Sequence, residues 1–415
     1  MSDRMRHGLI TMRGRDPHEV HRAATPLELL FDLTFVIGFG VAADELASFL
    51  AHDHVWEGVI GFAFATYAVS WAWINFTWFA SAYDTDDWVF RLATMVQMFG
   101  VIVLALGLPQ MFESLVEGDH VDNDVMVLGY VIMRVPMLFQ WMRVARQDPE
   151  RRRVAEGIIV TLAVSQTGWV VLALVETSVG AMFAWAAVLV LVESGGPILA
   201  ERKSAGGTPW HPHHIAERYG LMVIITLGEG LLGTTVALLA VIGPDGPGWS
   251  TSLVLLGVSG TALTFGMWWI YFVVPSGLLL AAHRERSFGW GYGHIPLFGA
   301  TVAVGAGLHV AAYYIQHDTH LSAVGTLATV AVPLTVYFVM LFVLYMQISR
   351  TFDPLHVVLF AITVAILVGS LLMASAGVDL FWCLLVLAAS PWVTVVGYET
   401  VGHRHNQQVL DSLYD

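Results

Sequence analysis

The chain has 415 residues, of which 56% are apolar and only 13% charged, and its mean hydropathy is +0.67. Soluble domains carry about 25% charged residues, so this composition excludes disorder, a coiled coil and a water-soluble globule and leaves a polytopic helical membrane protein. The net charge of −14 argues against nucleic acid as a partner, and the single Cys383 excludes an intramolecular disulfide and a thiolate metal cage.

A membrane helix needs roughly 20 mostly apolar residues. In chain order the stretches that qualify are 27–50, 56–80, 88–108, 125–146, 155–177, 180–200, 216–241, 249–274, 290–316, 322–349, 355–375 and 379–399. They are continuous rather than alternating segments of about 10 residues, which predicts helices and not a barrel. Turn formers mark the linkers, most clearly Gly243-Pro244-Asp245-Gly246-Pro247-Gly248. The polar, basic first 25 residues and the long apolar run after them do not fit a cleavable signal peptide. The expected fold is an all-α polytopic membrane protein of about twelve transmembrane helices, embedded in a lipid bilayer.

Basic residues lie in one set of linkers. Arg4, Arg6, Arg13, Arg15 and Arg22 precede the first span, and Arg143, Arg146, Arg151, Arg152 and Arg153 surround the junction of the fourth and fifth. Arg202, Lys203, Arg284, Arg286, Arg350 and Arg404 continue the pattern. The opposite loops carry Asp53, Glu113, Glu117, Asp119, Asp122, Asp124, Asp245 and Asp318 and neither Lys nor Arg. By the positive-inside rule both termini are expected in the cytoplasm.

The halves resemble each other. Trp73-Ile74-Asn75-Phe76 matches Trp269-Ile270-Tyr271-Phe272, Val135-Pro136 matches Val332-Pro333, and Pro197 matches Pro391, in order and at nearly constant separation. An even number of spans per half makes the repeats parallel. The expected organisation is a basic N-terminal segment 1–25, a six-helix repeat 26–200, a linker 201–212, a second six-helix repeat 213–400 and a tail 401–415. Transporters built from such halves place their site near the midplane, and prolines within spans free carbonyls and permit bends.

Ionisable side chains within the spans cost at least about 2.5–3.5 kcal/mol each near the centre unless paired or wetted, so they are the candidate site residues. Glu28 and Asp32 share a helix face and repel unless a cation sits between them or one is protonated; Arg91, at matching depth, is the expected partner of Asp32. Glu217 and Arg218 open the seventh span, and Glu229 follows Glu217 by about 18 Å of helix, past the bilayer middle. Arg134 lies at similar depth, so an Arg134–Glu229 pair is expected. Glu193 precedes Ser194-Gly195-Gly196-Pro197, and His294 and His309 share the ninth span. No His-x3-His or Glu-x-x-His spacing occurs within a span, so no metal, haem or other cofactor is expected. Asp84-Thr85-Asp86-Asp87 reads as a helix cap. Trp56, Trp88, Trp249 and Trp290 read as an interfacial belt.

Thr25-Pro26-Leu27-Glu28-Leu29-Leu30-Phe31-Asp32-Leu33, Tyr83-Asp84-Thr85-Asp86-Asp87-Trp88 with Arg91, Glu217-Arg218-Tyr219-Gly220-Leu221 and Leu227-Gly228-Glu229 together resemble the bacterial low temperature requirement protein A (LtrA) family, from about Ala24 to the last span. Tyr219 stands where that family most often has Phe. The resemblance implies a multi-pass bacterial inner-membrane protein linked by name to growth in the cold, and it carries over no catalytic role. The layout is also similar to the major facilitator transporters, but their basic signature after the second span is replaced here by the acidic run at 84–87. The sequence reading is a proton- or ion-coupled transporter of a small solute. The alternative is a non-transporting lipid-handling, sensory or assembly protein with structural ion pairs. With no Gly-x-Ser-x-Gly or His-Glu-x-x-His arrangement, an enzyme is not expected.

Overall fold

In hydrocarbon each backbone N–H and C=O must be satisfied within its own segment, which is why the long apolar runs fold as helices. The structure is a computed structural model that describes residues 8–19, 22–202, 207–242 and 250–411. Arg4, Arg6, Lys203, Asp245, Trp249 and the turn at 243–248 lie outside the described residues. Among the described residues all regular structure is helical. The helices are α1 (Pro26–Ala51), α2 (Val55–Tyr83), α3 (Trp88–Leu106), α4 (Leu108–Glu117), α5 (Asp124–Gln147), α6 (Arg152–Leu174), α7 (Val179–Arg202) and α8 (Pro212–Ile242). They continue as α9 (Thr251–Phe272), α10 (Ser276–Ala282), α11 (Ser287–Ile315), α12 (Ala323–Ser349), α13 (Pro354–Ser375), α14 (Leu380–Ala388), α15 (Ser390–Gly397) and α16 (His403–Asp411). Among the described residues twelve stretches are long and apolar enough to cross a membrane, and they coincide with the twelve expected spans.

Two spans run further than their apolar composition indicates. The third bends at Gly107 and Pro109 and continues as α4, so Glu113 and Glu117 sit on a helix rather than in a loop. The twelfth passes through a π turn, Tyr398–Gly402, into the polar α16, so helix continues through most of the expected tail. The segment before α1 is anchored rather than free. Met12 N–H donates to Gln147 Oε1 (2.7 Å), Gly14 N–H to Asp148 Oδ2 (2.9 Å) and Arg15 N–H to the Ala82 carbonyl (2.9 Å).

The chain divides into two compact units. The first comprises Met1–Gly38 and Ala68–Arg218, the second Phe39–Tyr67 and Tyr219–Asp415. In the first, α3 packs on α5, α5 on α6 and α6 on α7. Lipid tails are as apolar as leucine, so close packing rather than water exclusion joins such helices. A Cβ added to Gly129 would stand 2.7 Å from the Gly100 carbonyl oxygen, so α3 and α5 meet backbone to backbone there. Phe31, Phe76, Phe79, Phe90 and Trp141 fill the buried interior beside them. In the second unit α11 packs on α12, α12 on α13, and α9 on α14 and α15. Tyr337 O–H donates to the Met267 carbonyl (2.7 Å) and Trp392 Nε1–H to the Ala262 carbonyl (3.1 Å), tying those helices at buried carbonyls.

Candidate functional sites

Within the first unit, the start of α1 and the start of α8 bring four ionisable side chains together. The Arg218 guanidinium, fully buried, grips Asp32 with two bonds, Nε–H to Oδ2 (3.1 Å) and a terminal N–H to Oδ1 (2.5 Å). Its other terminal nitrogen stands 3.1 Å from Glu28 Oε1. Glu28 and Asp32 are one turn apart on α1, and the cation that relieves their repulsion is therefore Arg218. Trp73 Nε1–H adds a 2.6 Å bond to Asp32 Oδ1. Glu28 also accepts from Thr25 N–H (2.7 Å), lies 3.2 Å from His214 Nε2 and meets Arg22 at 3.1 Å. The His214 Nδ1 atom is buried with no hydrogen-bond partner among the described residues.

Arg22 carries the network out of the span, to Asp84 at 3.5 Å. Three carboxylates, Glu28, Asp32 and Asp84, thus face two guanidiniums. Burial pushes the Asp84 carboxyl up to about 6, helped by the negative Glu28 and opposed by Arg22. The neighbouring Asp87 behaves oppositely. Burial raises its pKa, but the 2.7 Å bond from Arg143 and the Phe90 and Ile10 N–H groups outweigh that and hold it below the ordinary value. Asp87 is the N-cap of α3, as the acidic run predicts, with Phe90 N–H at 2.8 Å.

The structure corrects two expected pairings. Arg91 does not reach Asp32; its side chain is 55% exposed and bonds Asp86 at 2.7 Å. Depth along the chain matched, but Arg91 faces away from the core and Arg218 faces into it. Arg134 pairs with Glu193 at 3.0 Å, not with Glu229. Tyr130, one turn before Arg134, accepts from its guanidinium and donates to Glu193 Oε1 (2.5 Å), and Trp169 Nε1–H reaches Glu193 Oε2 (3.2 Å). Both oxygens of Glu193 are engaged by donors of α5 and α6.

The second unit holds Glu229, in the middle of α8 and only 6% exposed. It has no hydrogen-bond or ion-pair partner among the described residues. Its carboxylate lies over Gly40 of α1, where an added Cβ would stand 3.5 Å from Oε1, and Gly305 of α11 packs against its backbone. Its titratable neighbours are Asp44 and His309, which approach each other at 3.3 Å. From there a series of groups leads toward the helix ends. His309 stacks on Tyr313 with ring centres 5.4 Å apart, Tyr313 meets His52 at 5.7 Å, and His52 lies 3.8 Å from Asp318. Asp44 is 71% exposed although it lies within a span. The Asp44-Glu45 pair interrupts the apolar run of α1 and was the sequence signal for this lane, which reading Glu28 and Asp32 alone overlooks.

The remaining candidates are ordinary. Glu217 is exposed and, among the described residues, accepts only a long bond from Ala24 N–H (3.4 Å). His294 is buried with both ring nitrogens used, Nδ1 toward the Trp290 carbonyl (2.7 Å) and Nε2 toward Tyr271 O–H (3.0 Å). A histidine so engaged has both ring nitrogens satisfied within the core. Trp56 and Trp88 are exposed as a belt requires, but Trp290 is buried against Tyr219 and His294 at 4.8 and 4.3 Å between ring centres.

Among the described residues, twelve apolar spans carrying buried ionisable side chains define a multi-pass helical membrane protein. The chain belongs to the bacterial low temperature requirement A protein (LtrA) family, whose model matches residues 23–390. It is 28% identical over 295 residues to an uncharacterized protein of Rhizobium meliloti (strain 1021), an alignment covering 68% of this chain and 67% of that one. No solved structure matches the chain at a significant level.

Proposed function

We propose that the protein is a proton-coupled transporter of a small solute in the bacterial inner membrane, with Glu229 as the proton-carrying group. One contrast carries this reading. Asp32, Glu28 and Glu193 each face an arginine, whereas Glu229 faces none among the described residues and adjoins Asp44 and His309. An unpaired carboxylate at mid-span is costly in a purely structural role, and such groups mark proton and ion pathways. The exposure of Asp44 supports a wet crevice beside Glu229, because a charge within a span is costly when turned to lipid.

The closed pairs Asp32–Arg218 and Arg134–Glu193 hold the helices, as they would in a non-transporting membrane protein; Glu229 is the group such a protein has no use for. The one-sided basic linkers support cytoplasmic termini. The matched segments support two parallel six-helix halves. So does the packing of spans three to six in chain order, repeated in spans nine to twelve. The proposal is tested by reconstituting the purified protein in vesicles with a trapped pH indicator and adding members of a solute library. Proton movement on addition of a solute, absent from empty vesicles, is the expected result. A protein that moves protons with no solute in the library overturns the coupled reading.

A further inference from the structure

A second polar site lies apart from these groups, within the second unit. The last turn of α9, the start of α13, α15 and α16 enclose a cavity of about 50 Å³. A single water needs roughly 10–15 Å³ by this measure, so the space admits more than one water or a small molecule. The Asp353 carboxylate stands at its edge, capping α13 through Leu355 N–H (2.9 Å) and accepting from His405 Nδ1 (2.7 Å). Asn406 is 8% exposed. Its amide N–H groups point to the Val273 carbonyl and the Tyr398 hydroxyl, both at 3.4 Å. Asn406 is among the residues lining the cavity, and its Oδ1 is buried with no partner among the described residues. Thr394 and His356 line the same space, and their Oγ1 and Nδ1 atoms are likewise buried and unpartnered among the described residues.

The lining is mainly apolar, includes one carboxylate, and contains neither Lys nor Arg. Its remaining walls include the rings of Phe342, Tyr345 and Tyr398, whose faces attract cations. The π turn Tyr398–Gly402 contributes both of its end residues to this lining, and such turns recur at functional sites. We propose that this cavity binds a small organic ammonium ion. Asp353 neutralises its charge, the side chains of Asn406 and Thr394 turn so that the unpartnered Oδ1 and Oγ1 accept its N–H groups, and the rings cover its alkyl part.

The probe is methylammonium, applied to the full-length protein in detergent or nanodiscs. Sodium at equal ionic strength and methanol at equal concentration serve as the comparison solutes. Saturation-transfer NMR from protein to the methyl protons, with the shift in thermal unfolding midpoint, reports binding. The expected result is a saturable response to methylammonium alone. It is weakened about tenfold or more in Asp353→Asn, which keeps a capping side chain, and several-fold in Thr394→Val, which keeps shape and removes only the free hydroxyl. Should Asp353→Asn fail to fold, Thr394→Val decides. No saturable response, an equal response to sodium or methanol, or a response unchanged in Thr394→Val overturns the proposal and leaves water as the occupant.

Discussion

Asp32 and Arg218 form a fully buried two-bond ion pair in the first unit; removal of Arg218 leaves Asp32 without its cation away from water, and removal of Asp32 leaves Arg218 with Glu28 alone. Such losses cost about 3–5 kcal/mol. Asp32→Asn and Arg218→Gln are each expected to lower thermal stability strongly in detergent, and the double variant to recover part of the loss. Additive losses would show that the pair is not coupled. Arg91→Gln, which breaks only the exposed contact with Asp86, is expected to cost less than about 1 kcal/mol. Asp84 gives a prediction of opposite kind. Its carboxyl is raised from 3.8 to about 6, so the native protein retains a proton that the unfolded chain releases. Stability from this group is full below the ordinary value and is lost as pH rises through about 6, by roughly 3 kcal/mol in all. Asp84→Asn should flatten unfolding-midpoint curves across that window; an unchanged slope would contradict it. The cost of a buried carboxylate made Asp32, Glu193 and Glu229 legible in the sequence. Their partners were not legible, because spacing gives depth along a helix but not the direction its face takes.

The ends of the elements were the hardest to read. α4 and α16 are too polar to qualify as apolar runs, yet both continue a span, because Gly107 with Pro109 and the π turn bend the helix without ending it. The anchoring of residues 8–19 was equally hidden, since it rests on backbone donors reaching Gln147 and Asp148, which carry no local signal. Close helix approach gives the test at this scale. Gly129 meets the Gly100 carbonyl across α3 and α5, and Gly305 meets the Glu229 backbone across α11 and α8. Gly129→Val and Gly305→Val are expected to destabilise by about 1–3 kcal/mol each by wedging these helices apart. Valine tolerated at either position, with an unchanged unfolding midpoint, would contradict the backbone contact.

At the scale of the whole molecule, composition and span counting gave the architecture, because satisfying the backbone in lipid leaves few alternatives. Orientation is a separate inference, from linker charge, and it has its own test. The chain has one cysteine, the buried Cys383, so an introduced thiol can be labelled against a low background. His120→Cys is expected to react with an impermeant maleimide in intact cells and Arg152→Cys only after the membrane is opened. The reverse pattern would invert the topology. The proposed function rests on Glu229, and replacing it by Gln keeps shape and hydrogen bonding while removing the charge. The decisive measurement is solute-driven proton movement in vesicles containing equal amounts of folded wild-type protein and Glu229→Gln. Because no arginine is left uncompensated, the variant is predicted to fold with a near-normal unfolding midpoint and to lose the proton movement. A folded Glu229→Gln protein that still moves protons as the wild type does would contradict the account.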